Sequence, residues 1–161
     1  MAGSAFLFLG ASWPISHLVP WGSHPAVDGY LSSQRITIVH DGSRFSRFEK
    51  VRDLASWPTG LAALRVCPAS AGLRANCGEC EKCLRTRLEL LAAGVGETDA
   101  FGPNLTSSEI RNAAVLGSIG DRVIFYEELI EPLKARGHDE LCEVLAEKIA
   151  GSRREFTASA R

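Results

Sequence analysis

The chain contains 161 residues, of which 45% are hydrophobic and 23% charged, and its formal net charge is -1. That composition is typical of a globular domain and excludes a disordered or polyacidic chain. A nearly neutral chain is a poor candidate for general nucleic-acid binding, which depends on neutralising phosphates. No apolar run approaches the roughly 20 residues of a membrane helix. No basic segment precedes the first apolar run, so we expect a cytoplasmic protein without a signal peptide.

Charge is distributed unevenly along the sequence. Between residues 1 and 34 the only charged side chain is Asp28, and the first basic residue is Arg35. A surface segment of that length usually carries more charge. We therefore expect this part to be covered, either by the rest of the chain or by something absent from it.

The first half of the sequence alternates predicted strands and helices. An apolar run at residues 4–12 predicts a central strand, and residues 35–40 predict a second one. The loop between them is rich in aromatic residues and proline, which indicates an ordered loop. A serine-capped helix is predicted to end near residue 56. Residues 61–66 predict either a third strand or the end of a helix followed by one.

Helices dominate the second half. They are predicted in three ranges: 78–94, 121–131 and 140–150. Thr106 and Glu109 fit a capping box for one more helix, Pro132 is expected to end or kink its helix, and Asp139 can cap the last one. Residues 151–161 are predicted to form a frayed tail.

The cysteines are the strongest chemical signal in the sequence. Four of the five are closely spaced, with nine, two and two residues between them: Cys67, Cys77, Cys80 and Cys83. Two-residue spacing lets neighbouring thiolates turn towards one cation. Four thiolates favour a closed tetrahedral site for structural zinc, without an open position for a catalytic water. The sequence therefore predicts a zinc element over residues 65–94.

Alternatives remain for these cysteines. An iron–sulfur cluster is one, because a Cys-x2-Cys-x2-Cys run with a remote Cys-Pro, here Cys67-Pro68, also occurs in ferredoxins. Disulfides suit small secreted chains, and nothing in the sequence indicates secretion. The fifth cysteine, Cys142, lies among apolar residues of the last predicted helix and is interpreted as a small core residue.

The predicted elements indicate an α/β fold with a partial parallel sheet. The sheet and the zinc element belong to residues 1–102, and a helical extension covers residues 103–161. Only two or three strands are available, which is few for a parallel sheet buried on both faces.

A resemblance to a known family lies in the cysteine-rich segment. It is carried by Arg65-Val-Cys-Pro, by Asn76-Cys-Gly-Glu-Cys-Glu-Lys-Cys-Leu-Arg-Thr and by Leu91-Ala-Ala-Gly. These resemble the zinc-binding end of the 7-cyano-7-deazaguanine synthase family, which belongs to the PP-loop ATP pyrophosphatases. In that family a lone cysteine at a strand end is followed by a Cys-Gly-x-Cys-x-x-Cys run that opens a helix. The stretch Phe48-Glu-Lys-Val-Arg-Asp-Leu-Ala is similar to the helix before that element, and the likeness covers about residues 4–95.

The chain departs from this family at the nucleotide site. The family binds the pyrophosphate end of ATP with a Ser-Gly-Gly-x-Asp-Ser loop after its first strand, and this sequence contains no such motif. The resemblance therefore implies a Rossmann-like half: the C-terminal part of such a fold, either truncated or reliant on a partner.

The resemblance also implies a chemistry. Members activate a carbonyl or carboxylate oxygen as an adenylate, and a nucleophile such as ammonia then displaces AMP, while their zinc is structural. This chain would shape the substrate side, at the C-terminal ends of the strands. The candidate substrate contacts are Ser23, His24, Asp28, His40 and Asp41. His24 can instead only stabilise its loop, and His40 with Asp41 can instead form part of a turn.

Three functions follow as hypotheses. The first is the C-terminal part of an adenylating ligase or synthase, inactive alone and binding ATP only with its missing N-terminal half. The second is a non-catalytic, zinc-stabilised binding or scaffold module, and the third is a small iron–sulfur electron-transfer protein. The expected partners are the missing half or a second copy of the chain, together with a small molecule. Neither a membrane nor nucleic acid is an expected partner.

Overall fold

The computed structural model describes most of the chain, in the ranges 5–20, 22–68, 76–113, 116 and 120–159. The chain divides into two compact units, Met1–Lys50 and Val51–Arg161. This boundary is distinct from the division predicted near residue 102, which stays a prediction. Among the described helices, none combines the length and the apolar character needed to cross a bilayer.

The first unit is built on a two-stranded parallel sheet. Its strands are β1 (Ala5–Gly10) and β2 (Ile36–Asp41), whose β-branched and aromatic residues favour extended backbone. The predicted mixture of helices with a parallel sheet is thereby confirmed. Two short 3-10 helices, Ile15–His17 and Asp28–Leu31, lie in the connection between the strands, where parallel crossovers usually have an α-helix.

Both faces of β1 are exposed, whereas most of β2 is half-buried. Successive residues of a strand point to opposite faces, and on β1 the side chains of Phe6, Leu7 and Phe8 are 62%, 48% and 63% exposed. The described residues of the first unit leave β1 uncovered, so the expectation that this segment is covered stays a prediction. Parallel sheets are normally covered on both faces, and the described residues of the first unit supply no such layers over β1.

Two helices follow the sheet. The first is α1 (Arg47–Ala55), which begins at a capping box: Ser46 Oγ accepts the Glu49 N–H at 3.1 Å, and Glu49 Oε2 accepts the Ser46 N–H at 2.7 Å. This predicted helix is confirmed. The second, α2 (Pro58–Ala63), starts with a proline, which suits the first turn of a helix. Of the predictions for residues 61–66, the helix end is confirmed, because α2 ends at Ala63. The predicted strand is wrong, since the described residues 64–66 form none.

The described part of the second unit also contains a 3-10 helix, Gly120–Val123, and five further α-helices: α3 (Glu81–Ala92), α4 (Ser107–Asn112), α5 (Ile124–Glu127), α6 (Ile130–Lys134) and α7 (Asp139–Ser159). Apolar side chains from these helices and from the residues that join them form its core, among them Leu88, Leu129, Leu133 and Leu145, each 1% exposed or less. Cys142 is buried among them, as predicted. The capping box of Thr106 and Glu109 at the start of α4 is confirmed.

Two boundaries in this unit differ from prediction. The helix predicted at residues 121–131 is divided between α5 and α6, and Pro132 lies in the first turn of α6, where a missing N–H costs no helical bond. The tail is not frayed up to Ser159, because α7 continues to that residue. Arg153 of α7 forms an ion pair with Glu127, which helps to fix this extension.

Candidate functional site

The four closely spaced cysteines converge on one point. Their sulfur atoms all lie within 4.8 Å of one another, and the Sγ atoms of Cys77 and Cys83, like those of Cys67 and Cys80, are 3.8 Å apart. Four sulfurs held about 2.3 Å from one tetrahedral ion are separated by about 3.8 Å. The predicted cluster is therefore confirmed as a group that can hold a single metal ion.

The turn between Cys77 and Cys80 places two of these ligands. Gly78 has a φ of 79°, in the left-handed region that glycine adopts without strain. The turn brings the Cys80 N–H to the Sγ of Cys77 at 3.3 Å. Cys80 is also the N-cap of α3, and Cys83 lies in the first turn of that helix. The positive end of the helix dipole favours thiolates at these positions.

Asn76 brings the remote ligand to this turn. Its Oδ1 accepts hydrogen bonds from the backbone N–H groups of Val66 and Cys67, at 2.9 and 3.3 Å. Its Nδ2 donates to the carbonyl oxygens of Leu64 and Ala100, both at 3.0 Å. One side-chain amide thus ties the segment carrying Cys67 to the residue beside Cys77. No role was predicted for Asn76, although its place directly before the cysteine run is a signal visible in the sequence.

Arg87 supports the turn from the other side. Its Nη1 donates to the Gly78 carbonyl at 3.2 Å and to Glu109 Oε1 at 3.1 Å, and its Nη2 donates to the Pro103 carbonyl at 2.9 Å. The guanidinium therefore connects the metal-binding turn with the capping residue of α4. Sequence analysis missed this residue too, because its partners lie in distant parts of the sequence.

Burial opposes free thiolates in this cluster. Cys83 is buried and Cys77 is exposed. Burial raises the pKa of the Cys83 thiol, and likewise that of Cys80, because a charged sulfur would lose its hydration. A bound cation compensates the charge of the thiolates, so metal binding and loss of the thiol protons are coupled. Four sulfur ligands also leave a tetrahedral ion no open coordination position.

The structure brings together most of the predicted substrate contacts, in the first unit. Asp28 is 1% exposed, and its Oδ1 accepts the backbone N–H of His24 at 2.9 Å. Its Oδ2 accepts the hydroxyl of Ser23 at 2.7 Å and lies 2.6 Å from Nδ1 of His40. His24 thus takes part through its backbone, and Ser23 and Asp28 point towards each other and towards His40.

The remaining candidate, Asp41, stands apart from this group. It is the last residue of β2, and its carbonyl oxygen accepts the Ala11 N–H at 2.8 Å. Lys50 Nζ donates to the Ala11 carbonyl at 2.8 Å, which places an ammonium group at the carboxyl ends of the strands. Burial lowers the pKa of Lys50, and Arg47 adds to this effect while Asp41 opposes it.

Comparison with protein-family models, with curated proteins and with solved structures finds no match to the chain. The relationship to the PP-loop ATP pyrophosphatases therefore stays a prediction, and the function is argued from the chemistry of the site.

Proposed function

We propose that this chain is the zinc-bearing C-terminal part of an ATP-dependent adenylating ligase or synthase of the 7-cyano-7-deazaguanine synthase type. The observation that carries this proposal is the meeting of four cysteines, spaced as in that family's zinc element, at the start of α3. The exposure of β1 adds support, since an uncovered strand suits a sheet completed by other strands. A cytoplasmic location fits thiolates that bind metal without forming disulfides.

Zinc suits the cluster better than an iron–sulfur group. In an iron–sulfur cluster the cysteines bind two or more irons, so ligands of different irons are further apart than ligands of one ion. The separations here, 3.8 Å within two pairs and at most 4.8 Å overall, favour a single ion. Four thiolates around one ion are typical of structural zinc.

The proposal divides the work between two parts of an enzyme. ATP binding needs a Ser-Gly-Gly-x-Asp-Ser loop, which further sequence or a second polypeptide must supply, because this chain contains none. The residues of this chain would shape the substrate side of the site, at the carboxyl ends of β1 and β2. The zinc element would hold that part of the fold together.

A second candidate is a non-catalytic, zinc-stabilised binding module. The lack of the ATP loop in this chain favours it. The two candidates predict different ATP chemistry for a form of the protein that is extended by in-frame upstream sequence.

The test is an ATP assay on the zinc-loaded chain and on a form extended by the in-frame upstream sequence. Both are incubated with ATP, ammonium and a panel of carboxylic acids, and AMP release is measured. The ligase proposal predicts AMP from the extended protein only, and its loss when the Asp of the Ser-Gly-Gly-x-Asp-Ser loop is changed to Asn. An extension without that loop, or a zinc-loaded extended protein that forms no AMP, would contradict the proposal and favour the binding module.

A further inference from the structure

Asp28 and His40 form a pair that the zinc element does not use. Both belong to the first unit, where His40 is the second-last residue of β2 and Asp28 begins a 3-10 helix in the connection between the strands. The pair is largely enclosed, with the side chains of His40 and Asp28 only 7% and 2% exposed. A histidine held by a buried carboxylate is a recurring arrangement in proton transfer and in metal binding.

The hydrogen bonds of Asp28 determine which nitrogen of His40 carries its proton. Bonds from Ser23, from the His24 backbone and from His40 lower the pKa of Asp28 to about 2. Asp28 is therefore an anion at neutral pH and only accepts hydrogen bonds. The 2.6 Å contact with Nδ1 of His40 then requires a proton on Nδ1. In the neutral ring the lone pair consequently belongs to Nε2.

The Nε2 atom of His40 has no hydrogen-bond partner among the described residues. The His40 side chain keeps 7% of its surface exposed. Its strand ends one residue later, at Asp41, and ligands of parallel sheets bind at the carboxyl ends of strands.

Other roles fit the geometry less well. Ser23 is not positioned as a nucleophile, because its hydroxyl bonds to Asp28 and lies 3.5 Å from Nδ1, the nitrogen that bears the proton. A metal site lacks further ligands, since the cysteine cluster is the only group of three or more potential ligands found in the described residues. If the contact between Asp28 and Nδ1 of His40 were only structural, the unpaired Nε2 of the same ring would have no function.

We propose that His40 is a proton-transfer residue in a small-molecule site at the carboxyl ends of β1 and β2, with Asp28 as its positioning residue. The site takes a small molecule that carries a dissociable N–H or O–H group. In the reaction this bond breaks, its electron pair stays on the nitrogen or oxygen of the substrate, and the proton bonds to Nε2. The Asp28 carboxylate stabilises the imidazolium that results. Asp28 and Ser23 thus support the ring instead of contacting the substrate, and the proposal is independent of zinc and of adenylation.

The first test reads the protonation of the ring directly. Nitrogen-15 spectra of the zinc-loaded full chain, recorded at alkaline pH where the ring is neutral, should show His40 with a protonated Nδ1 and a bare Nε2. Asp28→Asn should shift His40 towards the other tautomer, while the exposed His17 stays unchanged. A wild-type His40 protonated at Nε2 would overturn the proposal.

The second test measures base chemistry with p-nitrophenyl acetate as the probe. His40→Asn retains a donor where Nδ1 stands but has no Nε2, so the contact with Asp28 is preserved and the base is lost. We expect hydrolysis to fall at least tenfold relative to the wild type, in line with the contribution of a general base. The control is His138→Asn, which should hydrolyse the ester at the wild-type rate.

Two further results would overturn the proposal. One is equal hydrolysis by the wild type and a folded His40→Asn variant, which would leave the pair a structural contact only. The other is a shift of the His40 Nε2 resonance when about one further equivalent of Zn²⁺ is added to the zinc-loaded chain, which would make His40 a metal ligand.

Discussion

The backbone N–H of Cys67 donates a hydrogen bond to Oδ1 of Asn76 at 3.3 Å. Asn76, which directly precedes Cys77, therefore positions Cys67. The same oxygen accepts the Val66 N–H at 2.9 Å. This contact accounts for how a cysteine with nine residues between it and Cys77 reaches the other three sulfurs. The metal-binding geometry therefore depends on an amide that is itself no ligand.

Asn76→Ala should weaken zinc binding about 10–100-fold, the usual effect of removing a group that orients a ligand. The variant leaves two backbone donors and two carbonyl acceptors without this partner. Competition with a chromophoric chelator measures the affinity. Asn112→Ala, at an exposed asparagine, is the matched control and should bind zinc normally. Equal affinities for all three proteins would contradict the role of Asn76.

Gly78→Ala should destabilise the zinc-loaded protein by about 1–2 kcal/mol, because a left-handed backbone brings Cβ too close to the following carbonyl oxygen. The φ of 79° at this residue is the reason. Gly78→Asn should cost less, since asparagine tolerates this conformation better. Urea unfolding compares both variants with Gly29→Ala, whose added Cβ meets nothing within 4 Å. If Gly78→Ala lowered the free energy of unfolding no more than Gly29→Ala does, the left-handed backbone at Gly78 would not be what requires glycine there.

Cys80→Ser should lose the bound zinc and much of the stability of the second unit, because structural zinc contributes directly to folding. Elemental analysis and thermal unfolding measure the two effects. Cys142→Ala serves as the control: its thiol is buried and donates to the Ile130 carbonyl at 3.5 Å, so the variant loses packing but keeps its zinc. Unchanged zinc content in Cys80→Ser would exclude this cysteine as a ligand.

Asp28 should make the stability of the protein sensitive to acid. Its pKa in the folded state, about 2, lies below the ordinary 3.8, so the unfolded state binds this proton more readily. The stabilisation is complete above about pH 4 and is lost as the pH falls towards 2. Urea unfolding at a series of pH values should therefore show Asp28→Asn less stable than the wild type at neutral pH. The difference in the free energy of unfolding should shrink as the pH falls from about 4 towards 2. Asp53→Asn, at an exposed carboxylate, should show no such pattern, and a constant gap for Asp28→Asn would contradict the assignment.

The uncovered sheet should make the isolated chain self-associate. Phe6 and Phe8 are adjacent exposed aromatic residues with ring centroids 6.3 Å apart, and an exposed apolar strand invites pairing with another chain. Sedimentation should show dimers or larger species that Phe6→Lys with Phe8→Lys reduces. Tyr30→Lys, which alters an exposed aromatic residue outside the strands, should leave association unchanged. A wild-type chain that remains monomeric at all concentrations would show that the sheet needs no cover.

Local signals made much of the fold predictable. The capping boxes at Ser46 and Thr106 involve a partner three residues away, so they are visible in the sequence. The cysteine cluster was predictable because two-residue spacing brings thiolates together in any tight turn. The group containing Asp28 and His40 was predicted as a set of candidates, while its internal bonding was not.

What the sequence did not reveal depends on contacts between distant residues. Arg87 reaches Gly78, Pro103 and Glu109 only because the folded chain brings them together. The last part of α7, which continues to Ser159, was predicted as a tail because its residues are mostly polar. The ion pair between Arg153 and Glu127, which helps to fix it, joins residues that are distant in the sequence. The short α2 replaced a predicted strand because a few apolar residues have no clear period.

X-ray absorption at the zinc edge, combined with elemental analysis of the purified full chain, tests the central claim most directly. The account predicts one zinc per chain with four sulfur neighbours at about 2.3 Å, unchanged in Cys142→Ala and absent in Cys80→Ser. A folded wild-type protein without zinc, an iron–sulfur spectrum, or a first shell containing nitrogen or oxygen would contradict it.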